Sequence, residues 1–212
     1  MLKNFIFNHF GVNCYVVVDD ATKECAIVDP GMEASYEDAQ LFQYVEHFSL
    51  TPKYILLTHA HIDHISGLRQ TCQKYNLPVT MHNDGGKLLR QAEAYGSIMG
   101  FSTENMGDLE TIHADEGTIL KLGETEIECR YVPGHCPGSL CYVIPSAKTV
   151  ITGDALFQGS IGRTDLPGGN YQQLIDKLKE RILTLPDDYG VYPGHGESST
   201  IGDEKRYNPF LV

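Results

Sequence analysis

Apolar positions along this chain follow two periods, and the switches between them outline its elements. From residue 4 to 29, short apolar runs flank the polar stretch Asp19-Asp20-Ala21-Thr22-Lys23, a pattern that predicts paired strands around a turn. A helical period then opens at Ser35, with Asp38 three residues on as a capping partner and Leu41, Tyr44, Val45 and Phe48 as its apolar face. A strand is expected at 54–58, a short helix near 66–75 and a strand at 78–82. The stretch 84–113 begins helical and ends as a loop carrying Met99, Phe101 and Met106. A second half starts near 118 with several strands, and a helix over 171–184 sets Leu174, Ile175, Leu178 and Ile182 on one face. No low-complexity tract, linker or strong repeat interrupts this order, and 212 residues suit one domain, 1–212, with a sizeable core.

The chemistry concentrates where the expected strand at 54–58 ends. Thr58-His59-Ala60-His61-Ile62-Asp63-His64 puts three histidines and an aspartate within six positions. A solvated polar loop would explain this poorly, because neutral imidazole is the commonest protein ligand for zinc-like ions and an adjacent carboxylate suits a divalent cation. Three later segments repeat the grammar of an apolar run, a glycine and then a donor: Gly134 before His135, Gly153 before Asp154, and Gly194 before His195. If these strands lie in related sheets, their C-terminal ends share one edge, where α/β proteins usually place their sites. Seven donors then converge: His59, His61, Asp63, His64, His135, Asp154 and His195. They are too many for one tetrahedral zinc, but they fit two ions if Asp154, with its two oxygens, bridges.

These motifs, His59-x-His61-x-Asp63-His64, Gly134-His135-Cys136-Pro137-Gly138-Ser139, Gly153-Asp154-Ala155-Leu156-Phe157 and Pro193-Gly194-His195-Gly196, resemble the metallo-β-lactamase-fold hydrolases. Within that superfamily they are most similar to glyoxalase II-like enzymes, over nearly the whole span from Asn4 to His195. The resemblance implies an α/β fold of the αβ/βα four-layer sandwich type. It implies that His59, His61 and His135 hold one metal, that Asp63, His64 and His195 hold the other, and that Asp154 bridges. Asp29, in Val28-Asp29-Pro30-Gly31, resembles a family aspartate near the metals and would hold a ligand histidine by its other nitrogen. A turn aspartate before proline explains it as readily.

Two departures from glyoxalase II matter. In the glycine-rich loop 159–169, Arg163 stands where that family has a basic residue for the glutathione carboxylate, but Thr164-Asp165 replaces the usual aromatic. Arg163 is therefore either a substrate contact or a structural partner of Asp165. Only Gly196 to Val212 follow His195, so a C-terminal helical domain like the one that supplies much of the glutathione site is not expected. Weak discrimination between thiol carriers is anticipated in consequence. The Gly-Arg-Thr-Asp string also resembles persulfide dioxygenases, which use one iron on the same fold.

Composition narrows the partners. A formal charge of −12 with no large Lys/Arg cluster argues against nucleic acid, which needs a basic footprint. Six cysteines sit mostly in apolar runs, irregularly spaced and without a C-x-x-C pair, so buried free thiols in a reducing compartment are expected. Cys136, beside His135, is read as a packed loop thiol ahead of a reactive one. The N-terminus has too short an apolar stretch for a signal peptide, and no run reaches membrane-spanning length. A cytoplasmic protein with no membrane partner is expected. The reaction expected is hydrolysis of a small-molecule thioester by two divalent ions, Zn2+ ahead of Fe or Mn, with metal-bound hydroxide as nucleophile. A thiolate leaves without a strong general acid, which suits a motif set lacking an obvious proton donor. The alternatives are a mononuclear iron persulfide dioxygenase using His59, His135 and Asp154, and a non-catalytic metal-binding protein. For Met99, Phe101 and Met106 in residues 84–113, ordinary core packing is read ahead of a lid or homodimer contact.

Overall fold

A computed structural model describes residues 1–101, 103 and 105–212; Ser102 and Glu104, inside the 84–113 stretch, lie outside the described residues. Strands β1 (Leu2–Phe7), β2 (Val12–Val18), β3 (Glu24–Val28), β4 (Thr51–Leu56), β5 (Val79–Met81) and β6 (Thr111–His113) form one sheet in that order. Its first two pairings are antiparallel and its last three parallel. The second half supplies β7 (Ile119–Leu122), β8 (Thr125–Tyr131), β9 (Leu140–Ile144) and β10 (Thr149–Gly153). The small hairpin β11 (Leu156–Phe157) and β12 (Ser160–Ile161) follows, then β13 (Gly190–Pro193) and β14 (Ser199–Thr200). Apart from the hairpin β11–β12, which pairs by itself, these build a second six-stranded sheet in the order β14-β13-β10-β9-β8-β7.

The strand period of two sorts side chains into layers. In β2, Tyr15 and Val17 face the second sheet, while Cys14, Val16 and Val18 face outward with Leu41 of helix α1 (Ser35–His47). In β9, Leu140, Tyr142 and Ile144 meet the first sheet, while Cys141 and Val143 pack outward against Leu174 and Ile175 of a later helix. Between the two outer layers, Val28, Leu56, Ile127, Tyr142 and Ile151 close the central one. Helices α2 (Ile62–Ile65), α3 (Leu68–Tyr75) and α4 (Gly86–Met99) cover the outer face of β4 and β5 through Ile65, Leu68 and Leu89. Helices α5 (Tyr171–Lys177) and α6 (Ile201–Tyr207) cover the second sheet. The architecture is the αβ/βα four-layer sandwich. Leu56 is fully buried, and trimming it to Ala should cost about 2–5 kcal/mol.

Several local expectations shift. Helix α1 is capped by Ala34 and not by a Ser35–Asp38 pair; Glu37 reaches back to accept from Glu33 N and Ala34 N at 2.8 and 3.1 Å. A glutamate is long enough to fold back over the first turn, whereas Asp38 sits one position late. Phe48 lies just past the helix and is exposed, so Leu41 and Val45 carry the buried face. The expected helix over 171–184 is α-helical only to Lys177 and continues as a π-type turn over Leu178–Ile182, which still buries Leu178 and Ile182. In the 84–113 stretch, Phe101 and Met106 are buried while Met99 is exposed. All six cysteines are buried free thiols. Among the described residues no helix is long and apolar enough to cross a membrane.

Candidate metal centre

The C-terminal ends of β4, β8, β10 and β13 meet at one edge of the sandwich, one from the first sheet and three from the second. The glycines before the donors have distinct tasks. Gly134 and Gly153 adopt φ of 128° and 50°, conformations that Cβ disfavours. A Cβ at Gly194 would lie 2.2 Å from Asp154 Oδ1 and 2.7 Å from His64, so only glycine lets the β13 end pass this close.

The seven expected donors are all brought together, in two groups on either side of Asp154. His135 Nε2 stands 2.9 Å from His61 Nδ1, and the His59 ring centroid is 4.7 Å from that of His61 and 5.0 Å from that of His135. On the other side, His195 Nε2 is 3.0 Å and His64 Nε2 3.7 Å from Asp63 Oδ2. Asp154 turns one oxygen to each group: Oδ2 lies 3.7 Å from His135 Nε2, and Oδ1 lies 3.3 Å from His64 Nε2.

Three atoms here are buried with no hydrogen-bond partner: His59 Nε2, His64 Nε2 and Asp154 Oδ1. Each such orphan costs about 1–3 kcal/mol. Placing three at one spot is explained by a cation that all of them face. Imidazole nitrogens and carboxylate oxygens also suit a divalent transition metal. These residues fit the metal that the motifs imply.

The far nitrogens of the rings agree. Ligand histidines donate their second N–H to an oxygen, which frees the other lone pair. His64 Nδ1 donates to Asp29 Oδ2 at 2.9 Å, His135 Nδ1 to the Arg163 carbonyl at 2.8 Å, and His195 Nδ1 to the Phe10 carbonyl at 3.2 Å. Thr58 Oγ1 gives its own hydrogen to Asp29 Oδ2 at 2.6 Å, so it must accept from His59 Nδ1 at 3.1 Å. A separate cluster, His82, His113 and Asp115, has ligand-like proximity but the opposite wiring. There His82 Nδ1 accepts from Asp84 N and His113 Nδ1 from Asn83 N, so each Nε2 carries the proton and faces Asp115 as a donor. In this wiring neither ring offers a free lone pair to a cation.

Burial divides the electrostatics of the two groups. It pushes His59 and His135 below the usual histidine value and His61 down to about 4. Burial also lowers His64, but Asp63, Asp154 and Asp29 outweigh it and raise the net value. At His195 the opposing pull comes first from the hydrogen bond to Asp63, again with a net rise. Burial favours the neutral acid at Asp63 and Asp154, yet His64 holds both carboxylates ionised.

Asp29 lies underneath the ligands. Its Oδ1 accepts from Thr58 N at 2.7 Å and its Oδ2 from Thr58 Oγ1 and His64 Nδ1, so its oxygens are occupied in holding ligands. Arg163 is exposed and makes a forked contact to Asp165 at 2.8 and 2.7 Å, the structural alternative read from the sequence. Cys136 is buried beside His135, near Ser139 Oγ at 3.4 Å, and burial pushes its thiol up to about 12, which describes a packed thiol. Sequence reasoning missed Thr58 and the carbonyls of Arg163 and Phe10. Thr58 had a signal, since it joins the ligand run to the strand. A backbone carbonyl has none.

The chain matches the metallo-beta-lactamase superfamily profile over residues 8–195 and belongs to that superfamily of metallo-hydrolases. It is 39% identical over 209 residues to the hydroxyacylglutathione hydrolase GloC of Haemophilus influenzae, covering 95% of this chain and 93% of that one. It is 40% identical over 200 residues to the probable metallo-hydrolase YqgX of Bacillus subtilis, covering 94% and 92%. Among solved structures, the BLEG-1 B3 metallo-beta-lactamase superposes with a TM-score of 0.89 at 33% identity, covering both chains fully. TTHA1623 in a di-iron-bound form superposes at 0.87 with 33% identity, covering 99% and 100%. The glyoxalase II-like resemblance and the four-layer fold are therefore borne out.

Proposed function

We propose that the protein is a dinuclear metal-dependent thioester hydrolase of the hydroxyacylglutathione type. In this reading His59, His61 and His135 hold one ion, Asp63, His64 and His195 hold the other, and Asp154 spans both. The observation that carries it is the pair of donor groups on opposite sides of Asp154, each with an unpartnered buried nitrogen. Likeness to GloC supports the thioester class, and likeness to the di-iron form of TTHA1623 supports two ions. When bound, divalent ions bring a water toward ionisation near neutral pH and polarise a carbonyl oxygen. Asp63, held ionised by His64 and His195, accepts a hydrogen bond from the attacking water and orients it. Asp29 and Thr58 fix the tautomers of His64 and His59, so no lone pair is lost to solvent. The leaving thiolate is a weak enough base to depart without a proton donor.

A cytoplasmic setting belongs to the same proposal, supported by six unpaired thiols that a reducing compartment preserves. Tyr95, Ile98 and Met99 expose apolar side chains on α4, which supports a homodimer contact within 84–113. Sedimentation measurements test that contact, and a monomer at all concentrations removes it.

The function is tested by metal analysis together with turnover of lactoyl-glutathione and of a β-lactam. About two ions per chain and rapid thioester cleavage are expected. One tightly held iron with oxygen uptake would turn the reading to a persulfide dioxygenase, and cleavage of the lactam alone would turn it to a lactamase.

A further inference from the structure

The turn between β1 and β2 touches both outer ligands of the second donor group, yet it contributes none itself. Asn8 sits at its start with φ of 52°, a left-handed conformation that asparagine tolerates. Its side-chain amide donates to two carbonyls, Gly31 O at 2.7 Å and Asp63 O at 2.9 Å. Its side-chain oxygen accepts from Phe10 N at 2.9 Å. The Phe10 carbonyl in turn accepts from His195 Nδ1 at 3.2 Å. One side chain therefore fastens the backbone of Asp63 and, through Phe10, the imidazole of His195.

Asn8 is held from behind. Its backbone N–H donates to Glu37 Oε1 at 2.8 Å. Glu37 is buried at 5% exposure, and its other oxygen is occupied by Glu33 N and Ala34 N. The carboxylate thus ties the start of α1 to the turn. Space enforces the register as well: a Cβ on Gly31 would lie 2.2 Å from Asp63 O and 3.3 Å from Asn8 Nδ2. The three-histidine group receives nothing from this turn. His59 and His135 lean instead on Thr58 and the Arg163 carbonyl.

We propose that Glu37 and Asn8 form a positioning clamp that sets the affinity of the Asp63–His64–His195 group for its ion and leaves the three-histidine group untouched. Asp63 and His195 come from different sheets and have to hold a separation of 3.0 Å in the right orientation. Without the clamp, the turn and the α2 loop are free to move apart, and the second ion loses two of its three private ligands together. This inference rests on the two-ion reading above.

The test removes the Asn8 side chain without straining its backbone. Asn8→Gly keeps the left-handed conformation accessible and deletes all three side-chain hydrogen bonds. Zinc titration against a chelator of known affinity resolves the two binding steps in the wild type and in Asn8→Gly and Glu37→Gln. Loss of a supporting hydrogen bond behind a ligand typically weakens metal affinity about 10–100-fold, and that is expected for one of the two steps alone. The other step is expected to stay at its wild-type affinity. Melting of the metal-free proteins provides the structural control. If both steps weaken equally, or neither changes while the metal-free Tm falls, the clamp is only a fold contact and the proposal is overturned. If the wild type itself binds fewer than two zinc ions, the two-ion reading fails first, and that result is separable because it needs no variant.

Discussion

The two donor groups facing each other across Asp154 are built on opposite principles. The His59–His61–His135 group has no carboxylate of its own, and burial holds its imidazoles neutral. The Asp63–His64–His195 group is saturated with negative charge from Asp63, Asp154 and Asp29, and its two histidines favour protons. Protons therefore compete with a cation more strongly at the second group than at the first. Proximity to one shared aspartate therefore does not make the two positions equivalent, and the difference is set by which neighbours desolvate and which neighbours carry charge.

Asp154→Ala should have the largest effect. Among the described residues it removes the only one of the seven donors that faces both groups, so both ions should be lost or loosened. With them goes a Lewis-acid contribution of several kcal/mol, or about a thousandfold or more in kcat/KM. Elemental analysis and kinetics on the same preparation check it. His195→Ala sharpens the contrast, since it should cost the second ion and spare the first.

Asp29→Asn comes next. The φ of 51° at Asp29 is acceptable to asparagine, so the backbone is preserved. The carboxylate that holds His64 and accepts twice from Thr58 is lost, and metal affinity should fall about 10–100-fold. If the first ion suffers more than the second, then Thr58 and not His64 is the main path of the effect.

Acidification separates the groups without mutation. His64 and His195 have raised values, so their protonated forms compete for the site at higher pH than an ordinary histidine's would. His61 is lowered to about 4, so protons contest its group only near that pH. Each competing proton weakens binding by about tenfold per pH unit below its pKa. Metal content followed from pH 8 to 5 should show one ion leaving well before the other. Simultaneous loss would mean that the ions themselves erase the difference.

Arg163→Ala should do least. His135 leans on the Arg163 carbonyl, which alanine retains, so metal content should not change. The exposed pair with Asp165 is weakened by solvent screening, and a competing aspartate should limit any rise in KM to about tenfold. A larger KM effect would show that the guanidinium leaves Asp165 to meet an anionic part of the substrate.

What the sequence made legible follows the same division. The seven donor side chains announced themselves through spacing: His59 to His64 in one run, and three single donors each preceded by glycine. The strands were legible because a layer buried on both faces produces apolar runs such as Val12–Val18. The supports were not. Asp29 read equally well as a turn residue until Thr58 and His64 were seen on its oxygens. Asn8 and Glu37 are 29 positions apart and meet through a backbone N–H, which no local pattern encodes. The cap of α1 was misplaced for the same reason, because Glu37 is shared between a helix start and a distant turn.

The distribution of donors over the chain also bears on how the molecule holds together. Four of them follow β4 in the first sheet, and three follow strands of the second. Ions bound between them would act as a cross-link between the two halves, closing a loop from residue 59 to residue 195 where no disulfide exists among the described residues. Ligand that binds only the folded chain stabilises it by mass action, about 2.7 kcal/mol at a hundredfold excess over Kd. Thermal resistance of this protein should therefore track free metal concentration, so that starvation for metal exposes the chain to unfolding as well as idling its chemistry.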